Sequence, residues 1–190
     1  MHIATSCGTF VLRTCYLKIV PPESIDIDTT FNSEEQQNDI IDASFAFIAE
    51  QHAVQYLARS EHSRLLLERK LAKKKLSQCA IEQALDYLEQ KNYLNNKRFA
   101  ESWLRNRTIT KTEGPTRLRG ELAKRGVNRE TINVVLEDFF AENNVDELFK
   151  KAAEKQIRLG KSGKKLQQAL LRQGFDWKLI KTLVSTSEES

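Results

Sequence analysis

The chain has 190 residues, with 30 Lys and Arg against 26 Asp and Glu and a formal net charge of +4. Charged residues make up 29% and hydrophobic ones 40%, which is enough for a folded core beneath a solvated surface. No run of 18 apolar residues occurs, which excludes a transmembrane helix. The N-terminal stretch lacks the basic segment and small-residue cleavage site of a secretory signal, so a cytoplasmic location is expected.

In chain order, residues 9–20 are rich in β-branched and aromatic side chains and predict one or two short strands, stopped by Pro21-Pro22. Residues 23–38 are polar and acidic and read as a linker. From Ile40 onward the apolar spacing is helical. One pattern then occurs three times. Its members are Leu67, Leu71, Lys75, Leu76, Ile81 and Leu85; then Leu118, Leu122, Gly126, Val127, Ile132 and Leu136; then Leu166, Leu170, Gly174, Phe175, Ile180 and Val184. The offsets are 0, 4, 8, 9, 14 and 18 in each copy, and the copies start 51 and 48 residues apart.

Each copy predicts two helices joined by a tight turn. Leucines at i and i+4 share a helix face, and Gly126 and Gly174 stand where a helix ends in the left-handed region. Ser77, Asn128 and Asp176 follow as N-cap residues. Lys75 takes the glycine position in the first copy, which predicts a strained or differently shaped turn there. A further helix precedes each pair, over residues 40–59, 96–107 and 145–159. The expected fold is therefore all-α: three tandem three-helix, helix-turn-helix-like repeats in an elongated array, stacked because a unit this short is insecure alone. The expected boundaries are an N-terminal extension at 1–38, repeats at 39–94, 95–143 and 144–185, and a tail at 186–190.

Catalytic chemistry finds no support in the pattern. Seven glycines do not cluster into a phosphate loop, and no Ser–His–acid set stands out. The paired Glu34 and Glu35 fall in the expected linker. Cys7, Cys15 and Cys79 fit no disulfide framework or zinc spacing, and His2, His52 and His62 are scattered. The expectation is a non-enzyme with no cofactor and no metal.

Charge distribution is more telling. Residues 1–52 hold two basic residues against eight carboxylates, a net of −6, whereas residues 53–190 hold 28 against 18, a net of +10. A basic helical array points to a polyanion partner, and the acidic part either offsets that field or is solvated. The basic candidates for contact are Lys73, Lys74, Arg98, Arg105, Arg107, Lys111, Arg117, Arg119, Lys124, Arg125, Lys161, Lys164 and Lys165. Each competes with a plainer reading as a solvated, ion-paired helical face. Trp103 is either a stacking platform for a base or, as its spacing with Phe99 and Leu104 favours, a core residue.

The run Tyr93-Leu94-Asn95-Asn96-Lys97-Arg98-Phe99-Ala100-Glu101-Ser102-Trp103 resembles a signature of the RecX family. So do Gly114-Pro115 followed by Leu118, Leu122, Arg125, Gly126 and Val127, and the upstream Ser63-Arg64 followed by Leu67, Leu71 and Lys74. Asn96, expected as an N-cap, replaces the family's usual Asp, and Lys75 its usual Gly. The resemblance covers roughly residues 53–184. It implies tandem three-helix repeats and a regulator of the RecA recombinase. Such a regulator binds the RecA–DNA filament and usually inhibits strand exchange and ATP hydrolysis, by blocking filament growth or promoting disassembly. The implied partners are RecA and single- or double-stranded DNA bound without sequence preference, with no membrane and the chain as a monomer. The alternatives are an independent helix-turn-helix-type DNA-binding regulator and a protein-only helical scaffold.

Overall fold

The structure is a computed structural model that describes residues 2–5, 8–25, 31 and 33–188, with side chains described at 11–25, 31 and 33–182. Among these residues nine α-helices form three successive triplets. The first is α1 (Glu34–Leu57), α2 (Arg64–Ala72) and α3 (Gln78–Gln90). The second is α4 (Asn96–Thr110), α5 (Pro115–Ala123) and α6 (Arg129–Glu142). The third is α7 (Val145–Arg158), α8 (Gly163–Arg172) and α9 (Trp177–Glu188). The chain divides into two compact units, Met1–Asn95 and Asn96–Ser190.

The repeated positions build the cores. Leu67, Leu71, Ile81, Leu85, Leu118, Leu122, Leu170 and Ile180 are fully buried, and Val127, Ile132, Leu136, Leu166 and Phe175 nearly so. Leu76 is half-buried, and the Val184 side chain lies outside the described residues. The turns take the predicted left-handed form, with φ +81° at Gly126 and +87° at Gly174. There the next residue's N–H reaches back into the last turn in Schellman fashion, Val127 to the Leu122 carbonyl and Phe175 to that of Leu170. Lys75 adopts φ +60°, so the first turn keeps the same backbone sense and accepts the steric strain that a Cβ brings there. Ser77 and Asn128 accept from the N–H groups of Ala80 and Thr131, and Asp176 accepts from that of Lys178. Asn96 is itself the first helical residue of α4 rather than the residue before the helix.

The N-terminal part departs from expectation. The strands are β1 (His2–Thr5) and β2 (Gly8–Val11), an antiparallel hairpin. The rest of residues 9–20 joins no strand. It forms a 3-10 turn at Thr14–Tyr16 followed by a bend, because the backbone N–H groups of Lys18, Ile19 and Val20 all donate to the Asp39 carboxylate instead of to a ladder. Burial pushes that carboxyl up, yet the three N–H groups and Lys18 outweigh it and hold Asp39 below the ordinary range. A second clamp lies about three turns further along α1. Buried Glu50 accepts both Arg13 Nε (2.6 Å) and Nη2 (2.7 Å), and the Tyr16 hydroxyl donates to it at 3.0 Å. Burial and then the Glu50 charge push the Tyr16 hydroxyl up. Asp39 and Glu50 are thus internal anchors rather than parts of a solvated acidic face.

Residues 34–38, expected as linker, are the start of α1. Ser33 caps it by accepting from the Gln36 N–H, and Glu34 and Glu35 sit where the helix dipole favours anions. Residues 26–30 and 32 of the expected linker lie outside the described residues, as do Cys7 and the terminal pair 189–190 of the expected tail. Residues 186–188 of that tail are helical. Along α1, Ala43, Ala46, Ala49 and Ala53 are fully buried. They face a helix, α3, that itself buries Ala80 and Ala84, and small side chains on both sides permit close approach.

In the second unit the α8 C-terminus is seated on the α5 N-terminus. The Gly114 N–H donates to the Gln173 carbonyl (2.8 Å) and the Thr116 N–H to that of Gly174 (3.2 Å). Carbonyls left over at the end of one helix satisfy N–H groups left over at the start of another, and Pro115 between them has none to satisfy. A Cβ at Gly114 would overlap the Gly174 carbonyl, and one at Gly174 would overlap the Arg117 backbone.

Two substitutions test the turns by urea unfolding. Lys75→Gly is expected to stabilise the chain by about 1 kcal/mol, since it relieves the left-handed strain of an exposed residue without removing a buried contact. Gly174→Ala is expected to destabilise it by more than about 2 kcal/mol, because strain and backbone overlap add.

Candidate nucleic-acid interface

The thirteen basic candidates divide by what they touch. Three of them pair with carboxylates of the second unit itself, Arg107 and Arg125 half-buried and Arg117 exposed. Glu113, only 6% exposed, lies just before the Gly114-Pro115 start of α5. It accepts Arg107 Nε at 2.7 Å and Nη2 at 3.1 Å from α4, and Arg117 Nε at 2.9 Å from α5. Arg117 also donates through Nη1 to the Arg172 carbonyl at the end of α8 (3.0 Å). One buried carboxylate thereby organises two guanidiniums beside the α5–α8 junction. Burial pushes the Glu113 carboxyl up, but hydrogen bonds and charge from Arg107, then from Arg117, hold it below its ordinary value of 4.5. The hydrogen bond to Glu113 raises Arg107 in turn.

Arg125 is the third. Its Nη1 donates to the Glu121 carboxylate (2.8 Å) and to the Glu121 carbonyl (2.6 Å), and the bond to the carboxylate holds the Glu121 carboxyl low. The guanidiniums of Arg107 and Arg125 lie over the Trp103 ring, at 5.3 and 4.8 Å from its centroid. Trp103 is half-buried. It is neither a sealed core residue nor an open stacking platform, since its ring carries two cations of the chain itself.

Most of the remaining candidates are on the surface. Lys73 and Lys74 at the end of α2, Arg105 on α4, Lys111 after it, and Lys164 and Lys165 on α8 are exposed. No carboxylate pairs with any of these six among the described residues. Arg119 donates to the Asn133 side-chain oxygen, and Lys124 has a long, exposed contact with Glu121 at 3.4 Å, which is worth little. Lys161 donates to the Gln156 side chain at 2.7 Å, and Arg98 is half-buried on α4. The sequence alone did not single out Glu113, whose i,i+4 relation to Arg117 was the available signal. No group of three or more His, Cys, Asp and Glu side chains able to hold a metal occurs among the described residues, and no helix among them is long and apolar enough to cross a membrane.

Comparison with known proteins bears on this arrangement. The sequence profile of RecX, second three-helix domain, matches residues 95–136. A regulatory protein RecX of Treponema pallidum (strain Nichols) is 32% identical over 157 residues, covering 83% of this chain and 96% of that one. The chain belongs to the RecX family. A regulatory protein RecX of Pseudomonas putida (strain W619) is 35% identical over 136 residues, or 70% of this chain and 86% of the relative. The crystal structure of RecX from Lactobacillus salivarius superposes with a TM-score of 0.65 at 23% identity, over 78% of this chain and 99% of the other. Another RecX crystal structure gives 0.71 at 23% identity, over 82% and 79%. RecX is a family of regulatory proteins rather than of enzymes, and the helical repeat fold agrees with it. The matched domain spans the Trp103, Arg107 and Glu113 cluster.

The Glu113 clamp predicts a pH dependence. Its folded pKa is depressed, so the stabilisation is present above the ordinary glutamate pKa and is lost as pH falls through the lowered folded value. Glu113→Gln is expected to cost about 2–3 kcal/mol at neutral pH. Urea titrations at neutral and acidic pH should show that difference shrinking in acid, with a constant difference arguing against the clamp.

Proposed function

We propose that this chain binds the RecA–DNA filament and lowers RecA activity, inhibiting strand exchange and ATP hydrolysis without catalysis of its own. Membership of the RecX family supports the regulatory role. The observation that carries the DNA part is the set of exposed cations left without internal carboxylate partners on all three repeats: Lys73 and Lys74, then Arg105 and Lys111, then Lys164 and Lys165. Contacts of this kind go to phosphates, carry no sequence preference and depend strongly on salt.

In this reading the repeats at 39–94, 95–143 and 144–185 act as successive contact modules along the filament groove. Several weak modules on one chain raise avidity without a single strong site. Occupying the groove hinders strand exchange, and binding at a filament end hinders addition of subunits. The chain acts in the cytoplasm as a monomer. Arg107, Arg117 and Arg125 belong to this mechanism only as the internal frame that positions α4 and α5, so reversing them would report on folding rather than on binding.

The test is RecA ATP hydrolysis on single-stranded DNA, with the chain titrated well below the RecA concentration. Inhibition at such ratios is expected. The variant carrying Lys73→Glu, Lys74→Glu, Arg105→Glu and Lys111→Glu should need at least about tenfold more protein, and its log–log salt dependence should flatten by about 3. A folded wild-type chain that leaves RecA turnover unchanged at every ratio overturns the proposal. Tight, sequence-selective duplex binding without RecA would point instead to an independent DNA-binding regulator.

A further inference from the structure

The third repeat contains a cavity beside its exposed cations. It holds about 370 Å³ and is lined chiefly by Gln156, Lys161, Lys165, Gln168, Arg172 and Gln173. Its volume falls in the range of roughly 300–1,000 Å³ typical of ligand pockets. We propose that this pocket binds a phosphodiester group and the adjoining nucleoside of single-stranded nucleic acid.

The fold places these groups by helix geometry. Lys165, Gln168 and Arg172 occupy i, i+3 and i+7 of α8, one stripe along a single helix face. Gln156 comes from α7 and is only 7% exposed. Lys161, in the turn between α7 and α8, donates to its side-chain oxygen and so fixes the amide. The far end of the stripe is fixed as well, because the Arg172 carbonyl is held by Arg117.

Chemistry selects the ligand. Three cations line the pocket and no carboxylate does, so an anion entering it meets an uncompensated positive field. Lys165 and Arg172 are exposed, and their charged groups have no ion-pair partner among the described residues. The amides add what a simple anion site lacks. They present donors and acceptors together, the set that pairs with base edges and sugar hydroxyls. One of them is unsatisfied: Gln173 Oε1 is buried without a hydrogen-bond partner in the protein, a state that a bound polar ligand relieves. An acidic protein surface would satisfy the cations but leave these amides idle.

The inference deepens the DNA-contact part of the proposed function, and its test runs without RecA so that the two can fail separately. The probe is a fluorescein-labelled oligothymidylate of about ten nucleotides, titrated with the full chain and read by fluorescence anisotropy at several salt concentrations. The pocket variant is Lys165→Ala with Arg172→Ala. The charge-matched control is Lys150→Ala with Lys178→Ala, both exposed and outside the pocket. Near about 0.1 M salt the pocket variant is expected to lose at least about tenfold in affinity, and its salt slope to fall by about 1.4. The control should change less than about threefold. Gln168→Glu, which places a carboxylate in the pocket about one helical turn from Lys165, should weaken binding in the same direction as the pocket variant.

Equal losses in pocket variant and control would mean diffuse electrostatics and overturn the inference. An unchanged oligonucleotide affinity with lost RecA inhibition would assign the pocket to an acidic protein surface and overturn it too. Lost oligonucleotide affinity with RecA inhibition intact supports the inference while removing this contact from the inhibitory mechanism.

Discussion

The approach of two backbones at Gly114 and Gly174 constrains the whole of the second unit. Neither position has room for a Cβ, and the N–H groups at the start of α5 are satisfied by the last carbonyls of α8. Opposite ends of two helix dipoles meet there. The same junction fixes the charges around it. Arg117 reaches the Arg172 carbonyl with one nitrogen and Glu113 with another, and Glu113 in turn holds Arg107 on α4. A repeat too small to be secure alone thus shares its polar termini with its successor.

This junction explains why basic residues in a basic chain do not all mean the same thing. Arg107, Arg117 and Arg125 have planar guanidiniums that bridge carboxylates, carbonyls and the Trp103 ring, which suits Arg better than Lys. They build the frame. Most of the exposed positions that lack carboxylate partners are lysines, and a compact, well-hydrated ammonium suits loose phosphate contact. The acidic N-terminal part divides in the same way. Asp39 and Glu50 are anchors that tie residues 13–20 to α1, so the net charge of residues 1–52 overstates the acid facing solvent. Removing the residues before Asp39 would cut away the groups that satisfy both anchors.

Much of the architecture was legible because its determinants are local. Leucines at i and i+4, a left-handed turn residue and a cap residue can each be recognised within a short stretch of chain, and the structure buries Leu67, Leu118 and Leu166 alike. Lys75 was legible as an anomaly, and its φ shows that the turn kept its form at the expense of strain. What the sequence concealed depends on pairs far apart in the chain. Asp39 draws three N–H groups from a segment some twenty residues upstream, which turns a strand-like stretch into a bend. The close approach of Gly114 to Gly174 links two separate repeats. The partition of the arginines follows from that approach, and so the charge pattern alone could not divide frame from surface. Local spacing pointed Trp103 toward the core, but the structure leaves it half-buried, its ring covered by two guanidiniums that the spacing did not foretell.

Native-state hydrogen exchange of the Gly114 and Thr116 amides reads whether the α5–α8 junction makes the second and third repeats one cooperative body. These N–H groups are bonded across the junction, and exchange reads their opening free energy site by site. Protection equal to that of the Leu122 and Leu170 amides in the helices on either side is expected, with all four lost together in denaturant. Much weaker protection at Gly114 and Thr116, with the two helices still protected, would mean that the junction opens by itself and that the two repeats are not one cooperative body.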